Sequence, residues 1–164
     1  MRISLIAALS ENRAIGLKGR LPWPNLPNDW ENFFKVTAGC KMIMGRKSYD
    51  TPDRLSSEAG NFVITRQADF PLDEGFVRVS SLEKALELCA HEQEVFVIGG
   101  EEIFRQALPK ADCLHLTLVH GVFEGDAFFP AFDETDFQIK SRQEFPADSQ
   151  HAYAYDFLVY ERKD

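Results

Sequence analysis

The sequence of 164 residues has room for one domain, and a domain of this length buries roughly 70% of its extended surface. Hydrophobic residues make up 45% of the chain and charged residues 27%, a mixture typical of soluble globular proteins. The formal net charge of -8 at pH 7 argues against nucleic acid or an anionic membrane surface as a partner. No apolar run reaches the ~20 residues of a membrane span, and the N-terminus lacks the layout of a signal peptide.

Cysteine and histidine usage indicates neither a disulfide framework nor a metal site. Cys40, Cys89 and Cys113 are odd in number, lie in apolar patterns and lack metal-ligand spacing. They predict reduced thiols in a cytoplasmic protein. The four histidines have no ligand spacing either, so we predict no bound metal.

Short apolar runs alternate with helical patterns along the chain. Strands are predicted, in order, at residues 3–9, 41–44, 62–65, 76–79, 94–98 and 113–119, with a terminal hairpin at 137–141 and 153–160. Two of the helical patterns begin with capping-box spacing, Asn28 with Glu31 and Ser80 with Glu83. The alternation predicts an α/β fold in a single domain over residues 1–164. Its sheet should be largely parallel, with antiparallel pairing at the edge formed by the hairpin.

Glycines, hydroxyls and cations follow three of the predicted strands. Ligands of such sheets bind beyond the carboxyl ends of the strands, and this combination of residues suits phosphate. The groups are Gly45, Arg46, Lys47 and Ser48, then Thr65 and Arg66, then Gly99 and Gly100. Taken singly, the glycine pair could be a tight turn and the Arg–Lys pair a solvated helix start. Together, in an acidic chain, they predict a phosphate or dinucleotide site, although neither GxxxxGK[ST] nor GxGxxG occurs.

Residues 15–34 combine a glycine-rich loop, prolines and both tryptophans of the chain with one acid at a helix start. We place Asp29 at the first position of that helix, where the helix dipole stabilises a carboxylate. Phe33 lies one turn further along the same face. A carboxylate beside an aromatic ring can hold a flat heterocycle that presents N–H donors. The alternative is that Asp29 only helps to cap the helix.

These motifs resemble those of the dihydrofolate reductase family, in the family's order and over nearly the whole chain. The matching segments are ISLIAAL, AIG with LPW, IMGRKSY, NFVITR, VFVIGGEEIF, LPKAD, LTLV and EGDAFFP. The resemblance implies a central eight-stranded, mostly parallel sheet with four flanking helices. It also implies reduction of 7,8-dihydrofolate to tetrahydrofolate with NADPH, which supports one-carbon metabolism and thymidylate synthesis.

The resemblance assigns the substrate side of the site. Asp29 would bind the pterin, Thr117 would support it, and Trp23 would order a water there. Leu21 occupies the position that closes over this water. The other substrate-binding positions implied are Ile6, Ala8, Phe33, Arg54 and Ile98. Asp29 would raise the basicity of pterin N5 from a distance, while water delivers the proton.

The resemblance also assigns the cofactor side. Ala8 would lie between pterin and nicotinamide, and Gly125 with Asp126 would brace the lid. The lid residues are Ile15, Gly16, Leu17, Lys18, Gly19 and Arg20. The adenosine and 2′-phosphate residues are Gly45, Arg46, Lys47, Ser48, Thr65, Arg66 and Ser80, and the pyrophosphate residues are Gly99, Gly100, Glu101, Glu102, Ile103 and Phe104. Guanidinium groups match a phosphate dianion, which favours NADPH over NADH.

Several positions depart from the family pattern. Ala59 and Ser56 replace the arginine that grips the glutamate α-carboxylate and the leucine that packs on the benzoyl ring. Arg54 is retained and is the available substitute. We therefore expect a raised KM for dihydrofolate and weaker binding of antifolates that carry a glutamate tail. Glu101 and Glu102 stand where the family has glycine and often arginine, which predicts modest cofactor affinity unless they point into solvent.

Two alternative functions remain open at the sequence level. One is a related NADPH-dependent reductase that acts on a pteridine or pyrimidine without a glutamate tail, which the replacement at Ala59 favours. The other is a non-catalytic module that binds pterins or nucleotides, against which the intact lid and Asp29 argue. A monomer is expected, because no apolar stripe is left without a role.

Overall fold

The computed structural model describes residues 1–164 and contains ten strands and four α-helices. The strands are β1 (Arg2–Ser10), β2 (Ala14–Gly16), β3 (Lys41–Gly45), β4 (Asn61–Ile64), β5 (Phe76–Val79), β6 (Glu94–Val97), β7 (Cys113–Val119), β8 (Ala127–Phe128), β9 (Phe137–Phe145) and β10 (Tyr155–Arg162). The helices are α1 (Pro27–Thr37), α2 (Arg46–Tyr49), α3 (Leu82–Leu88) and α4 (Glu101–Ala107). The longest helix has 11 residues, and none of the four could cross a bilayer.

Eight of the strands form one sheet in the order β5-β4-β3-β6-β1-β7-β10-β9. The pairings from β5 through to β7 are parallel, and β10 runs antiparallel to both of its neighbours. The predicted mostly parallel, eight-stranded sheet with an antiparallel C-terminal strand is therefore confirmed. Because the central strands are covered on both faces, their apolar runs are nearly continuous, and Leu5, Ile43 and Val95 are fully buried.

This topology brings the carboxyl ends of β1, β3, β4, β6 and β7 to one edge of the sheet. Such an edge is where ligands of open α/β sheets bind. Many of the residues predicted to act on substrate or cofactor lie on or just after these strands or on α1, whereas Leu21, Trp23 and Arg54 lie in connecting segments.

The sequence did not predict a second, two-stranded sheet made of β2 and β8. Strands of three and two residues are too short to show an alternating pattern. This ribbon pairs Ala14 with Phe128 and Gly16 with Ala127, and so holds the start of the predicted lid.

Both predicted capping boxes were wrong. Helix α1 has Leu26 as its N-cap and Pro27 at its first position, so Asn28 lies inside the helix and Asp29 is its third residue. Proline favours the first helical position because it has no N–H to leave unpaired. Helix α3 is capped one residue later than predicted, by Ser81, whose hydroxyl accepts a hydrogen bond from the backbone N–H of Lys84 at 3.1 Å.

Candidate active site

The centre of the site is the contact between Asp29 on α1 and Thr117 on β7. The Thr117 hydroxyl donates a hydrogen bond to Oδ1 of Asp29 at 2.6 Å, across 88 residues of sequence. Desolvation raises the pKa of the Asp29 carboxyl, and the hydrogen bond from Thr117 lowers it in part. Oδ2 of Asp29 receives no hydrogen bond from the protein. The arrangement is a desolvated carboxyl with one oxygen anchored and the other free for a ligand.

Two apolar clusters include several of the other residues predicted to contact the pterin. In one, Ala8 and Leu21 pack against a buried cluster formed by Trp23, Leu26 and Val119. In the other, Phe33 and Ile98 pack against a methionine-rich cluster under β3 and β4. Ala8 is directly opposite Thr117 in the β1–β7 register, and Ile6 is buried two residues earlier on the same strand. The Thr117 hydrogen bond thus joins Asp29 to the strand pair that carries Ala8 and Ile6, and Phe33 lies on the same helix as Asp29.

Trp23 carries the one buried side-chain nitrogen or oxygen that lacks a hydrogen-bond partner. Its Nε1 is buried, while its ring packs edge-on against Phe123 at a centroid distance of 5.7 Å. A buried N–H donor without a partner costs about 1–3 kcal/mol. The donor therefore fits a site at which a water or a ligand atom completes its bonding, as predicted for Trp23.

The predicted lid is a tight hairpin that follows β2. Leu17 and Arg20 exchange backbone hydrogen bonds of 2.7 and 3.0 Å, and Lys18 and Gly19 between them have positive φ angles of 52° and 79°. Asp126 braces this turn, since its carboxylate accepts from the Lys18 N–H at 2.9 Å and its own N–H donates to the Gly16 carbonyl at 2.9 Å. The lid is attached to the fold mainly through this acid and the β2–β8 ribbon.

The ends of β3 and β6 form a glycine cradle. The N–H of Gly45 donates to the carbonyl of Gly99 at 2.7 Å, and the Gly99–Gly100 peptide bond is cis. A Cβ at Gly45 would lie 2.9 Å from Ile103, and one at Gly99 would lie 3.4 Å from the Ser48 hydroxyl. Gly99 also has a φ of 118°, which favours glycine. Backbone and hydroxyl groups of the predicted pyrophosphate region are therefore brought close together.

Three cations beside this cradle have no acidic partner. Arg46 and Lys47 are exposed at the end of β3, and Arg66 is exposed just beyond β4. None of them takes part in an ion pair, and the Arg46 guanidinium lies 5.8 Å from the Phe70 ring centre. Thr65 and Ser80 complete this row, because β3, β4 and β5 are neighbours in the sheet. Unpaired cations and hydroxyls in a row fit the phosphate of an adenosine 2′-phosphate group.

The two acids of α4 that depart from the family pattern share one arginine as their ion-pair partner. Glu101 accepts hydrogen bonds from the N–H of Phe128 at 2.7 Å and from Arg105 at 2.8 Å. Glu102 pairs with the same arginine. Because Arg105 offsets one of the two negative charges, the predicted cost to cofactor affinity is reduced but not removed.

A family model described as dihydrofolate reductase matches residues 2–162. The chain belongs to the dihydrofolate reductase family. It is 41% identical to the dihydrofolate reductase of Bacillus subtilis over 99% of this chain and 95% of that protein. It is 42% identical to that of Neisseria gonorrhoeae over 98% of each chain. A solved dihydrofolate reductase from Enterococcus faecalis, complexed with NADP(H) and RAB-propyl, superposes with a TM-score of 0.87 at 30% identity, covering 99% and 97% of the two chains.

The outer end of the cleft differs from the family pattern in charge. Arg54 pairs with Asp73 at 2.7 Å, and its guanidinium stacks over the rings of Tyr49 at 4.1 Å and Phe76 at 5.0 Å. Ala59 is exposed on a loop held beside the end of α1 by a hydrogen bond from the Ser57 hydroxyl to the Cys40 carbonyl. A ligand carboxylate that reached Arg54 would meet a guanidinium already paired with Asp73.

Sequence reasoning missed two sets of contacts that support the site. One is the hydrogen bond from Phe128 to Glu101, which ties β8 to α4. The other is a hydrogen bond to His151 from the N–H of Asn28, next to Asp29. Each joins residues far apart in the chain, so no local pattern could have revealed them.

Proposed function

We propose that this chain reduces 7,8-dihydrofolate to 5,6,7,8-tetrahydrofolate with NADPH, and that Asp29 is the group that binds and activates the pterin. Dihydrofolate reduction is the activity of the family to which the chain belongs, and the chain is accordingly an NADPH-dependent oxidoreductase. The observation that carries the residue assignment is the desolvated Asp29 carboxyl, anchored through Oδ1 and unbonded at Oδ2.

Asp29 acts as an acceptor for the N–H groups of the pterin. Its ionised carboxylate matches the 2-amino group and ring N3–H, and Thr117 keeps its free oxygen directed into the cleft. Ile6, Ala8, Phe33 and Ile98 form apolar walls that exclude bulk water from the ring. Low local polarity strengthens the carboxylate contact, and the negative charge of Asp29 raises the basicity of the bound ring.

Trp23 and Leu21 govern access of water to the reacting end of the pterin. The unpartnered Nε1 of Trp23 supplies a donor for one water, and Leu21 packs over the same cluster. This water delivers the proton to N5, because Asp29 contacts the opposite side of the ring. NADPH supplies the hydride that adds to C6.

Three groups of residues hold the cofactor. The unpaired Arg46, Lys47 and Arg66 bind the 2′-phosphate, with Thr65 and Ser80 beside them. The pyrophosphate contacts the segment from Gly99 to Phe104, close to Gly45 and Ser48. The nicotinamide is covered by the hairpin of Ile15, Gly16, Leu17, Lys18, Gly19 and Arg20, which Asp126 braces.

A second candidate is reduction of a pteridine or pyrimidine without a glutamate tail. Two observations favour it: Arg54 is already paired with Asp73, and alanine stands at position 59 on the exposed loop. The two candidates differ only at the outer end of the substrate, so the pterin chemistry at Asp29 is common to both.

We further propose a cytoplasmic monomer of one domain, residues 1–164, that binds neither nucleic acid nor membrane. The three free cysteines and the net charge of -8 support this assignment. Sedimentation at enzyme concentrations used in the assay tests the oligomeric state, and a dimer would refute this part.

The decisive experiment follows NADPH oxidation with dihydrofolate and then with pterins that lack the glutamate tail. Wild-type enzyme should turn over dihydrofolate, and Asp29→Asn should lose about 100-fold or more at neutral pH and less at acidic pH, where N5 is protonated from solution. Asp133→Asn is the matched control, since Asp133 is exposed and hydrogen-bonds only within its own turn. Unchanged turnover at neutral pH in Asp29→Asn would refute the role of Asp29. Turnover of tail-free pterins alone would favour the second candidate.

A further inference from the structure

Helix α1, which carries Asp29, begins without a capping side chain from its own segment. Its N-cap residue is Leu26, and Pro27 at the first position has no N–H. The first N–H groups of a helix have no partner inside the helix, and a buried one must find a partner elsewhere. The Asp29 N–H donates to the Leu26 carbonyl at 3.0 Å. Of the first three helical residues, Pro27, Asn28 and Asp29, Asn28 alone then still requires an acceptor for its N–H.

His151 supplies that acceptor from the loop between β9 and β10. The Asn28 N–H donates to His151 Nε2 at 3.1 Å, and His151 is only 5% exposed. A backbone N–H can only donate, so Nε2 is unprotonated and the proton of the neutral ring lies on Nδ1. Nδ1 is 2.8 Å from Asp148 Oδ1 and donates to it. This hydrogen bond lowers the pKa of Asp148 and selects the tautomer that leaves Nε2 free to accept.

A second bond holds the same helical residue against the sheet. The side-chain amide of Asn28 donates to the Tyr155 hydroxyl at 2.8 Å. Tyr155 begins β10, which neighbours the strand that carries Thr117. The titratable groups that face His151 are Asp148 and Tyr155, and the Tyr155 ring centre lies 5.1 Å from the centre of the His151 ring. The α1 start is fixed to the strand pair that supplies the partner of Asp29.

We propose that His151, with its proton on Nδ1, is the cap of helix α1 and thereby a positioning residue for Asp29. It acts through Asn28, the residue next to Asp29, and touches no reacting atom. The inference rests on the proposed function, because its consequence is measured through the pterin contact. Loss of the acceptor allows the first turn of α1 to move. The hydrogen bond between Thr117 and the carboxyl of Asp29 is then formed in a smaller fraction of the molecules.

The test compares His151→Leu with His151→Gln, whose amide oxygen can still accept a hydrogen bond. In His151→Leu, kcat/KM for dihydrofolate should fall by about 5- to 30-fold, the range expected for loss of a helix cap. The KM for dihydrofolate should rise and the midpoint of the pH profile should move, while NADPH affinity stays within about twofold because α1 holds no proposed cofactor residue. His151→Gln should recover most of the loss.

His120→Leu is the matched control. His120 also pairs with a carboxylate, Asp156 at 3.0 Å, but it does not contact α1. It should keep the wild-type pH profile and KM. The same wild-type profile and KM in folded His151→Leu would overturn the proposal while dihydrofolate reduction stands. Failure of the wild-type enzyme to reduce dihydrofolate would instead refute the proposed function.

A measurement on the wild-type protein keeps the inference testable if His151→Leu does not fold. Nitrogen-15 NMR at neutral pH should show an unprotonated Nε2 in His151 and a coupling across the hydrogen bond between the Asn28 nitrogen and that Nε2. A protonated Nε2, or absence of the coupling, would overturn the proposal.

Discussion

Replacing Thr117 by valine tests the one hydrogen bond that the protein donates to the side-chain carboxyl of Asp29. The change keeps the branched shape of the side chain on β7, where Thr117 is buried opposite Ala8. It removes only the hydroxyl that donates to Oδ1 at 2.6 Å. Desolvation of the carboxyl remains, so the influence that lowers the pKa of Asp29 is lost and the pKa rises further.

The expected magnitude follows from the charge on the acceptor. A hydrogen bond to an ionised group contributes about 1.5–3 kcal/mol, which corresponds to about a 10- to 150-fold change in an equilibrium. Because the ionised form of Asp29 binds the pterin, kcat/KM for dihydrofolate should fall by up to this factor. The ratio of kcat/KM for the wild type to kcat/KM for Thr117→Val should be largest on the acidic side of the pH profile. It should shrink as the pH rises and the carboxyl ionises in both proteins.

The assay is the pH dependence of kcat/KM for dihydrofolate at saturating NADPH, with Thr117→Ser as the control. Serine keeps the hydroxyl, so its profile should stay close to that of the wild type. If Thr117→Val matched Thr117→Ser at every pH, the hydrogen bond would have no part in controlling Asp29.

Three more outcomes test other parts of the molecule. Asp29→Asn should raise the thermal stability of the ligand-free protein at neutral pH. The reason is that the pKa of the Asp29 carboxyl is raised in the folded protein, so its ionisation costs stability at any pH above its pKa in the unfolded chain, about 3.9. The stability gain of Asp29→Asn should therefore vanish near that pH. Ala59→Arg should lower the KM for dihydrofolate by about 10- to 100-fold but leave tail-free pterins unchanged, and equal effects on both would exclude a role in gripping the tail. Phe129→Ala should lower the free energy of unfolding by about 3–5 kcal/mol, because the Phe129 ring is 1% exposed and its centre lies 5.0 Å from that of Phe104. Denaturant titration measures this loss, and a value below about 1 kcal/mol would contradict the packing.

Much of the fold could be predicted from periodicity and burial. Each of the eight strands of the main sheet overlaps a predicted strand, and the central parallel strands have the clearest apolar runs because they are buried on both faces. The β2–β8 ribbon was missed, since its strands are too short for a pattern and its pairing joins residues far apart. The cap of α3 was misplaced because Ser80 and Ser81 carry the same local signal. That of α1 was misplaced because its N-cap, Leu26, has no capping side chain and the helix begins at Pro27.

The site was predicted in part from residues and in part from resemblance. Asp29 and Phe33 lie on one helical face by spacing alone, and the glycines and cations follow their strands in sequence. The pairing of Asp29 with Thr117 came from the family pattern. The retained Arg54 was the available substitute for the missing arginine, whereas the structure pairs it with Asp73.

The sequence by itself determined which segments are strands and helices and which chemical groups follow each strand, because burial and dihedral preference are local properties. Only the tertiary structure decided which of those groups meet. Sheet order put β7 beside β1, so that Thr117 reaches Asp29. The packing of loops and helices on the sheet brought His151 to the start of α1 and Glu101 to Phe128. A hydrogen bond between residues distant in sequence leaves no periodic trace in either segment, since its geometry depends on the packing of the whole chain.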